Sequence, residues 1–182
     1  MFPKAHAAAY VMMAYRIAYC KINYPLAYYA AFFGIRASAF SYEIMGRGKD
    51  VLLHYLKEYK KKEEQKLLTP KDEETMKNMK NVLEMYARGF EFLPIDIYKS
   101  KATQFQIVDG KLLPPFSSLD GMGDKAAEAV EAAAASGEKY LSIDDFIQRT
   151  KISKTLAEKM ADLGLLGNLP KSNQLSLFEF AN

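Results

Sequence analysis

The sequence predicts a mainly α-helical protein with one small β element. Three observations predict it. Apolar residues recur at helical spacing from Tyr10 to Tyr86 and again from Leu156 to Leu163, the period of a helix face packed on a core. Helix start signals stand at Thr69-Pro70, Ser142 and Ser153, where a side-chain oxygen can accept from the amides of a first turn. Between 90 and 108 the pattern becomes β-prone, and Asp109-Gly110 follows, a dipeptide suited to a tight turn between strands.

Taken in order, Tyr10, Ala14, Ile17 and Ala18 place a helix over 5–21. Pro25 at a first helical position and Gly34 as a C-terminal cap place a second over 25–33. Both are read as buried helices. Arg16, Lys21, Pro25 and Arg36 interrupt the stretch 5–39, so no uncharged run reaches the ~18 residues of a membrane span. Tyr24, Tyr28, Tyr29, Phe32 and Phe33 read as core at this spacing; the competing reading is a platform for stacked bases. Leu52, Tyr55, Leu56 and Tyr59 form the next stripe, and Lys60-Lys61-Lys62 with Glu63-Glu64 a solvated helix end. The helix opened by Thr69-Pro70 carries Met76, Met79, Leu83 and Tyr86, and Gly89 stops it. Residues 90–97 and 104–108 carry the strand signals. Ser142 caps 143–149 with Asp145 near the capping-box position, and Ser153 caps a helix closed by Gly164. No internal repeat is visible. Residues 169–182, with Pro170, Ser172 and Asn173, read as an extended tail.

Charge is unevenly spread. The net charge of the 182 residues is +3, but residues 1–50 carry six Lys/Arg against two acids, 51–101 eleven against nine, and 102–182 eight against eleven. Cys20 is the single cysteine, so there is no disulfide and no Cys-based metal site; two histidines are too few for a His-built one. A reducing cytoplasm fits, and Met1-Phe2-Pro3-Lys4 does not begin a signal peptide.

The stretch 119–130, Leu-Asp-Gly-Met-Gly-Asp-Lys-Ala-Ala-Glu-Ala-Val, has the form of a turn feeding a helix. Gly121 and Gly123 can adopt positive φ and bring backbone close to a ligand. Met122 between them points to the core, and a helix from Asp124 presents free amides that suit a phosphate. Lying in the acidic third, such a site rests on backbone N–H groups and Lys125 rather than on a basic field. The pattern looks like a helix-hairpin-helix, which clamps DNA without reading sequence, and it nominates Gly121, Met122, Gly123, Asp124 and Lys125 as DNA-binding. The bland alternative is an interhelical turn with no ligand.

Two further stretches add to it. Phe2-Pro3-Lys4-Ala5-His6-Ala7-Ala8-Ala9-Tyr10, followed by Tyr24-Pro25, resembles the fingers of C-family bacterial replicative polymerases. Gln174-Leu175-Ser176-Leu177-Phe178 looks like the pentapeptide by which such polymerases hold the sliding clamp. The Lys-Ala-His wording and the position of that pentapeptide point to the PolC type of DNA polymerase III alpha subunit. The resemblance implies the end of the fingers over 1–66, a duplex-binding domain with helix-hairpin-helix over 67–168, and a clamp-binding tail over 169–182. It implies double-stranded primer-template DNA, the sliding clamp and the remainder of the polymerase as partners, with no membrane role. It also implies Lys4 and His6 facing an incoming nucleotide; the other reading of His6 is a packing or capping role. Family members hold two Mg²⁺ on palm aspartates. No palm is present here, so the chain reads as a C-terminal part of a nucleotidyltransferase, with no cofactor of its own and no polymerase activity alone.

Other readings remain. A standalone helix-hairpin-helix adaptor could link DNA to the clamp without enzymatic activity. A helix-hairpin-helix glycosylase would carry a Gly-Pro-Asp context, which the sequence lacks. The tail could dock on its own domain instead of on a clamp.

Overall fold

The computed structural model describes residues 3–37 and 39–172. Its helices are α1 (Lys4–Asn23), α2 (Pro25–Ile35), α3 (Lys49–Glu64), α4 (Pro70–Ala87), α5 (Asp124–Ala134), α6 (Ile143–Thr150) and α7 (Lys154–Asp162). A strand pair, β1 (Gln106–Val108) and β2 (Lys111–Leu113), lies between α4 and α5. The molecule is therefore mainly α with a small β element.

The helices gather around two cores. The first is built by Tyr29 and Phe33 of α2, Leu52 and Leu56 of α3, and Met76, Met79, Val82 and Met85 of α4, with Leu112 of β2 closing it. Phe33, Phe40, Phe92 and Phe105 pack at tilted to edge-to-face angles beside it, Phe40 edge to face on Phe105 with centroids 5.2 Å apart, a geometry aromatic rings prefer. The second core holds Ile95, Ile97, Phe116, Leu119, Met122, Ala127, Val130, Phe146, Ile152, Ala157 and Met160. A π-helical turn, Tyr42–Gly46, joins them: Tyr42 enters the second core and Met45 the first. The boundary drawn at 66/67 falls between α3 and α4, which share the first core.

Local signals explain the helix starts. Thr69 accepts from the Asp72 amide at 3.2 Å while Asp72 accepts from the Thr69 amide at 3.0 Å, a complete capping box. Ser142 and Ser153 cap α6 and α7 with the forward half of that arrangement alone, accepting from the Asp145 and Leu156 amides at 3.0 and 3.2 Å.

Three expectations are corrected. Gly34 lies inside α2, which runs on to Ile35. Residues 90–97 are not a strand; they supply one isolated bridge, Phe92 to Leu112. The partner of β1 is β2, with Gln106 opposite Leu113, across a turn in which Asp109 and Gly110 have φ 49° and 74°. Closing that short turn orders far less chain than pairing 104–108 with 90–97. Finally, α1 is not buried: none of its residues is. It rests on α2, and its last turn is fastened to α4. Lys21 donates to Glu84 at 2.6 Å, and Arg88 donates to the Lys21 carbonyl at 3.0 Å.

No helix among the described residues is long and apolar enough to cross a membrane. No group of three or more His, Cys, Asp or Glu among them could hold a metal ion.

Candidate nucleic-acid interface

The chain approaches α5 through a 3-10 turn, Phe116–Ser118, and a buried Leu119. Gly121 then takes φ 92°, a conformation L side chains rarely adopt. This reversal lets the Met122 amide donate back to the Leu119 carbonyl at 3.0 Å and sends Met122, 5% exposed, into the second core. Gly123 departs from the expectation of a positive φ. It is the N-cap of α5 at φ −75°, ψ 160°, which any residue could adopt. Its carbonyl accepts from Ala126 and Ala127 at 3.0 Å each, and Ala127 is fully buried, small enough to set α5 close against the core.

Gly123 has no side chain to cap α5, and none of the described residues accepts from the amides of Gly123, Asp124 or Lys125. A Cβ on Gly123 would meet nothing within 4 Å. The protein's own packing therefore does not require glycine there, and the space before the helix is open to an outside group. All three residues are exposed. An eleven-residue helix with free first-turn amides attracts an anionic oxygen. Asp124 opposes that attraction and Lys125 restores it, so the amides carry the net preference.

Two clamps hold this turn. At the far end of α5, Glu131 accepts from Lys101 at 2.9 Å and from the Ala102 amide at 2.6 Å. The Lys101 hydrogen bond first, then the Ala102 amide, keeps the Glu131 carboxyl below its usual range. At the near end, the Asp120 amide donates to Glu43 at 3.1 Å, and Lys159 donates to the Asp120 carbonyl at 2.7 Å. Sequence reasoning missed Glu43 and Lys159. They lie 77 and 39 positions from Asp120, and nothing local marks either.

The structure also reveals a repeat that the sequence hid. Thirty positions after Gly121, Met122 and Gly123 stand Lys151, Ile152 and Ser153. Lys151 has φ 57°, Ile152 is 5% exposed in the same core, and Ser153 is an N-cap at φ −68°, ψ 148°. The Ser153 carbonyl accepts from Leu156 and Ala157 at 3.1 Å each, and Ala157 and Met160 are buried as Ala127 and Val130 are. The two turns share no residue type, so only backbone geometry shows the correspondence.

Lys4 and His6 lie in the first two turns of α1, exposed, on a helix that contributes no residue to the core that holds the hairpin. The His6 ring stands 4.4 Å from that of Tyr10. Of the aromatic cluster, Tyr29 and Phe33 are core and Tyr24 is 61% exposed. Gln174, Leu175, Ser176, Leu177 and Phe178 lie outside the described residues. The chain leading to them is docked: the Ile143 and Asp144 amides donate to the Pro170 and Lys171 carbonyls at 2.9 and 3.2 Å.

The model of the helix-hairpin-helix motif matches residues 89–175, the stretch that contains both turns. Over 98% of its length the chain is 46% identical to DNA polymerase III PolC-type of Streptococcus sanguinis and of Caldanaerobacter subterraneus. It is 44% identical to that of Streptococcus thermophilus, again over 98% of the chain. In each case it spans 12% of the relative's length. Along nearly its whole length, then, the chain is similar to a 12% portion of PolC-type DNA polymerase III, and residues 89–175 of it match the helix-hairpin-helix motif.

Proposed function

We propose that this chain works as part of a PolC-type DNA-directed DNA polymerase, in which it grips duplex primer-template DNA through the turn at 121–125. The observation that carries this reading is the uncapped start of α5: open amides behind a glycine that internal packing does not need. Similarity to PolC-type polymerases supports DNA as the anion. Contacts of this kind touch phosphates and not bases, so binding is indifferent to sequence and falls as salt rises. Titrating a random-sequence duplex at several salt concentrations tests it. Lys125→Met should lower the slope of log affinity on log salt by about one unit. Equal slopes in parent and variant would remove Lys125 from the contact.

In the same reading Lys4 and His6 serve the incoming nucleotide, and Gln174, Leu175, Ser176, Leu177 and Phe178 tether the polymerase to its sliding clamp. Fully burying a Leu or a Phe contributes roughly 1.5–3 kcal/mol, so after ordering costs the peptide binds weakly and relies on the high local concentration that DNA engagement supplies. Deleting 174–182 should abolish capture of the clamp while duplex binding persists. Clamp capture by the shortened chain would return the tail to a docked segment.

The remainder of a longer polymerase is the proposed cover for α1, whose Tyr10, Val11, Met12, Tyr15, Ile17 and Ile22 are all more than half exposed. A helix apolar all round belongs inside a larger body. An open groove of about 740 Å³ beside it, lined by Ile17, Cys20, Tyr24, Tyr28, Phe32 and Ile35, suits an apolar insert. Catalysis, with its metal ions, belongs in this reading to parts of the polymerase beyond this chain.

A further inference from the structure

The first residue of the hairpin is held from the seam between the two cores. Glu43, on the π-helical turn, sets its carboxylate against the Asp120 amide, with Oε1 at 3.1 Å and Oε2 at 3.3 Å. Lys159 of α7 pairs with Glu43 Oε1 and donates to the Asp120 carbonyl at 2.7 Å. Ser41 is 6% exposed. Its hydroxyl lies 3.0 Å from Asp120 Oδ2 and 3.2 Å from Glu43 Oε2. Both backbone polar groups of Asp120 are thereby fixed, one position before the φ 92° of Gly121. The Glu43 side chain is 13% exposed, and a carboxylate so enclosed is tolerated only because its oxygens are matched by donors.

Electrostatics alone makes Glu43 and Asp120 a nuisance, since each adds negative charge beside a surface that receives phosphates. We propose that Glu43 is a positioning residue for the hairpin. Through the Asp120 amide and Lys159 it holds the 121–125 turn in the attitude that presents its amides to a duplex backbone. This rests on the turn being the duplex site. Lys159 is then a strut and not a phosphate ligand, because its ammonium is already engaged by Glu43 and the Asp120 carbonyl. The two accounts differ in sign. Removing a repelling charge strengthens binding, whereas removing a clasp weakens it.

The test titrates the full chain with a fluorescein-labelled random-sequence duplex across a salt series. Glu43→Ala should weaken binding about tenfold, the size expected for losing a hydrogen bond to a charged group, with the salt slope unchanged because no phosphate contact is lost. Glu43→Gln, which keeps an acceptor for the Asp120 amide, should restore affinity to within about threefold of the parent. Lys159→Met should add little on the Glu43→Ala background, as expected for partners in one network. Glu43→Ala binding as tightly as the parent, or more tightly, overturns the proposal. So does a salt slope reduced by about one unit in Lys159→Met, which would make that lysine a phosphate ligand. Should Glu43→Ala fail to fold, Lys159→Met alone decides by the same slope. Gly123→Val separates the two levels. Full affinity in that variant removes the hairpin as the duplex site; lost affinity there with none lost in Glu43→Ala removes only the clasp.

Discussion

At Gly123 the first turn of α5 begins without a side-chain cap, whereas at Ser153 the first turn of α7 is closed by its own hydroxyl, 3.2 Å from the Leu156 amide. Around those caps the backbones agree. A positive-φ residue comes first, a buried apolar residue second and an extended N-cap third, with the N-cap carbonyl serving the same two amides. One geometry is thus used twice. Where the cap is a serine, the turn spends its donors on holding the fold. Where the cap is a glycine, helix stability is given up and the donors stay available to a ligand.

The comparison can be broken most severely at the middle residues. Met122→Ala and Ile152→Ala each empty part of the second core, and each should cost about 2–5 kcal/mol in urea melts. Comparable losses keep the turns structural equals; a loss at one alone would end the equivalence. Next in size is Gly123→Val, which should weaken duplex binding at least about tenfold, or about 1.4 kcal/mol. The midpoint of thermal unfolding should barely move, because φ −75° and the open space admit a side chain. A smaller effect comes from exchanging the caps. Ser153→Ala should cost about 1 kcal/mol of stability and leave duplex affinity alone, while Gly123→Ser should add a few tenths of a kcal/mol and weaken binding. Gains in both properties from Gly123→Ser would contradict the division of labour.

The smallest effect concerns pH and distinguishes the anchor of α5. The folded-state pKa of Glu131 is depressed, chiefly by Lys101. Its stabilisation is therefore present above the unfolded value near ~4.3 and is lost as pH falls through the lower folded value. The pair is half-exposed, so the loss should be within about 0.2–1 kcal/mol. Denaturation midpoints measured from about pH 6 down to about pH 3 should fall less steeply in Lys101→Met than in the parent. Parallel curves would show that Lys101 does not set the Glu131 titration.

What the sequence disclosed follows from range. Caps at Thr69, Ser142 and Ser153 were legible because donor and acceptor lie within three residues. The Asp109-Gly110 turn was legible for the same reason, but the partner of 104–108 was sought before it, in residues 90–97, and not after the turn in Lys111–Leu113. Gly121 announced its backbone; Lys151, which adopts a comparable conformation with a side chain attached, announced nothing. Glu43 and Lys159 meet Asp120 only after three separate segments have packed. The burial assigned to α1 failed differently. Apolar composition says that a surface needs covering, not which part of the chain covers it.

That helix has one more consequence, a mechanical one. The bonds that join α1 to α4 stand at one end of the helix, as a clamp stands on a beam. Lys21 and the Lys21 carbonyl are bolted to Glu84 and Arg88, and nothing buries the turns nearer Lys4. A helix with no buried residue loosens first away from such a clamp. Backbone amides should exchange with solvent fastest toward Lys4 and progressively more slowly toward Cys20. The rigidity of the lysine at the tip is then set by whatever surface meets the outer half of the beam.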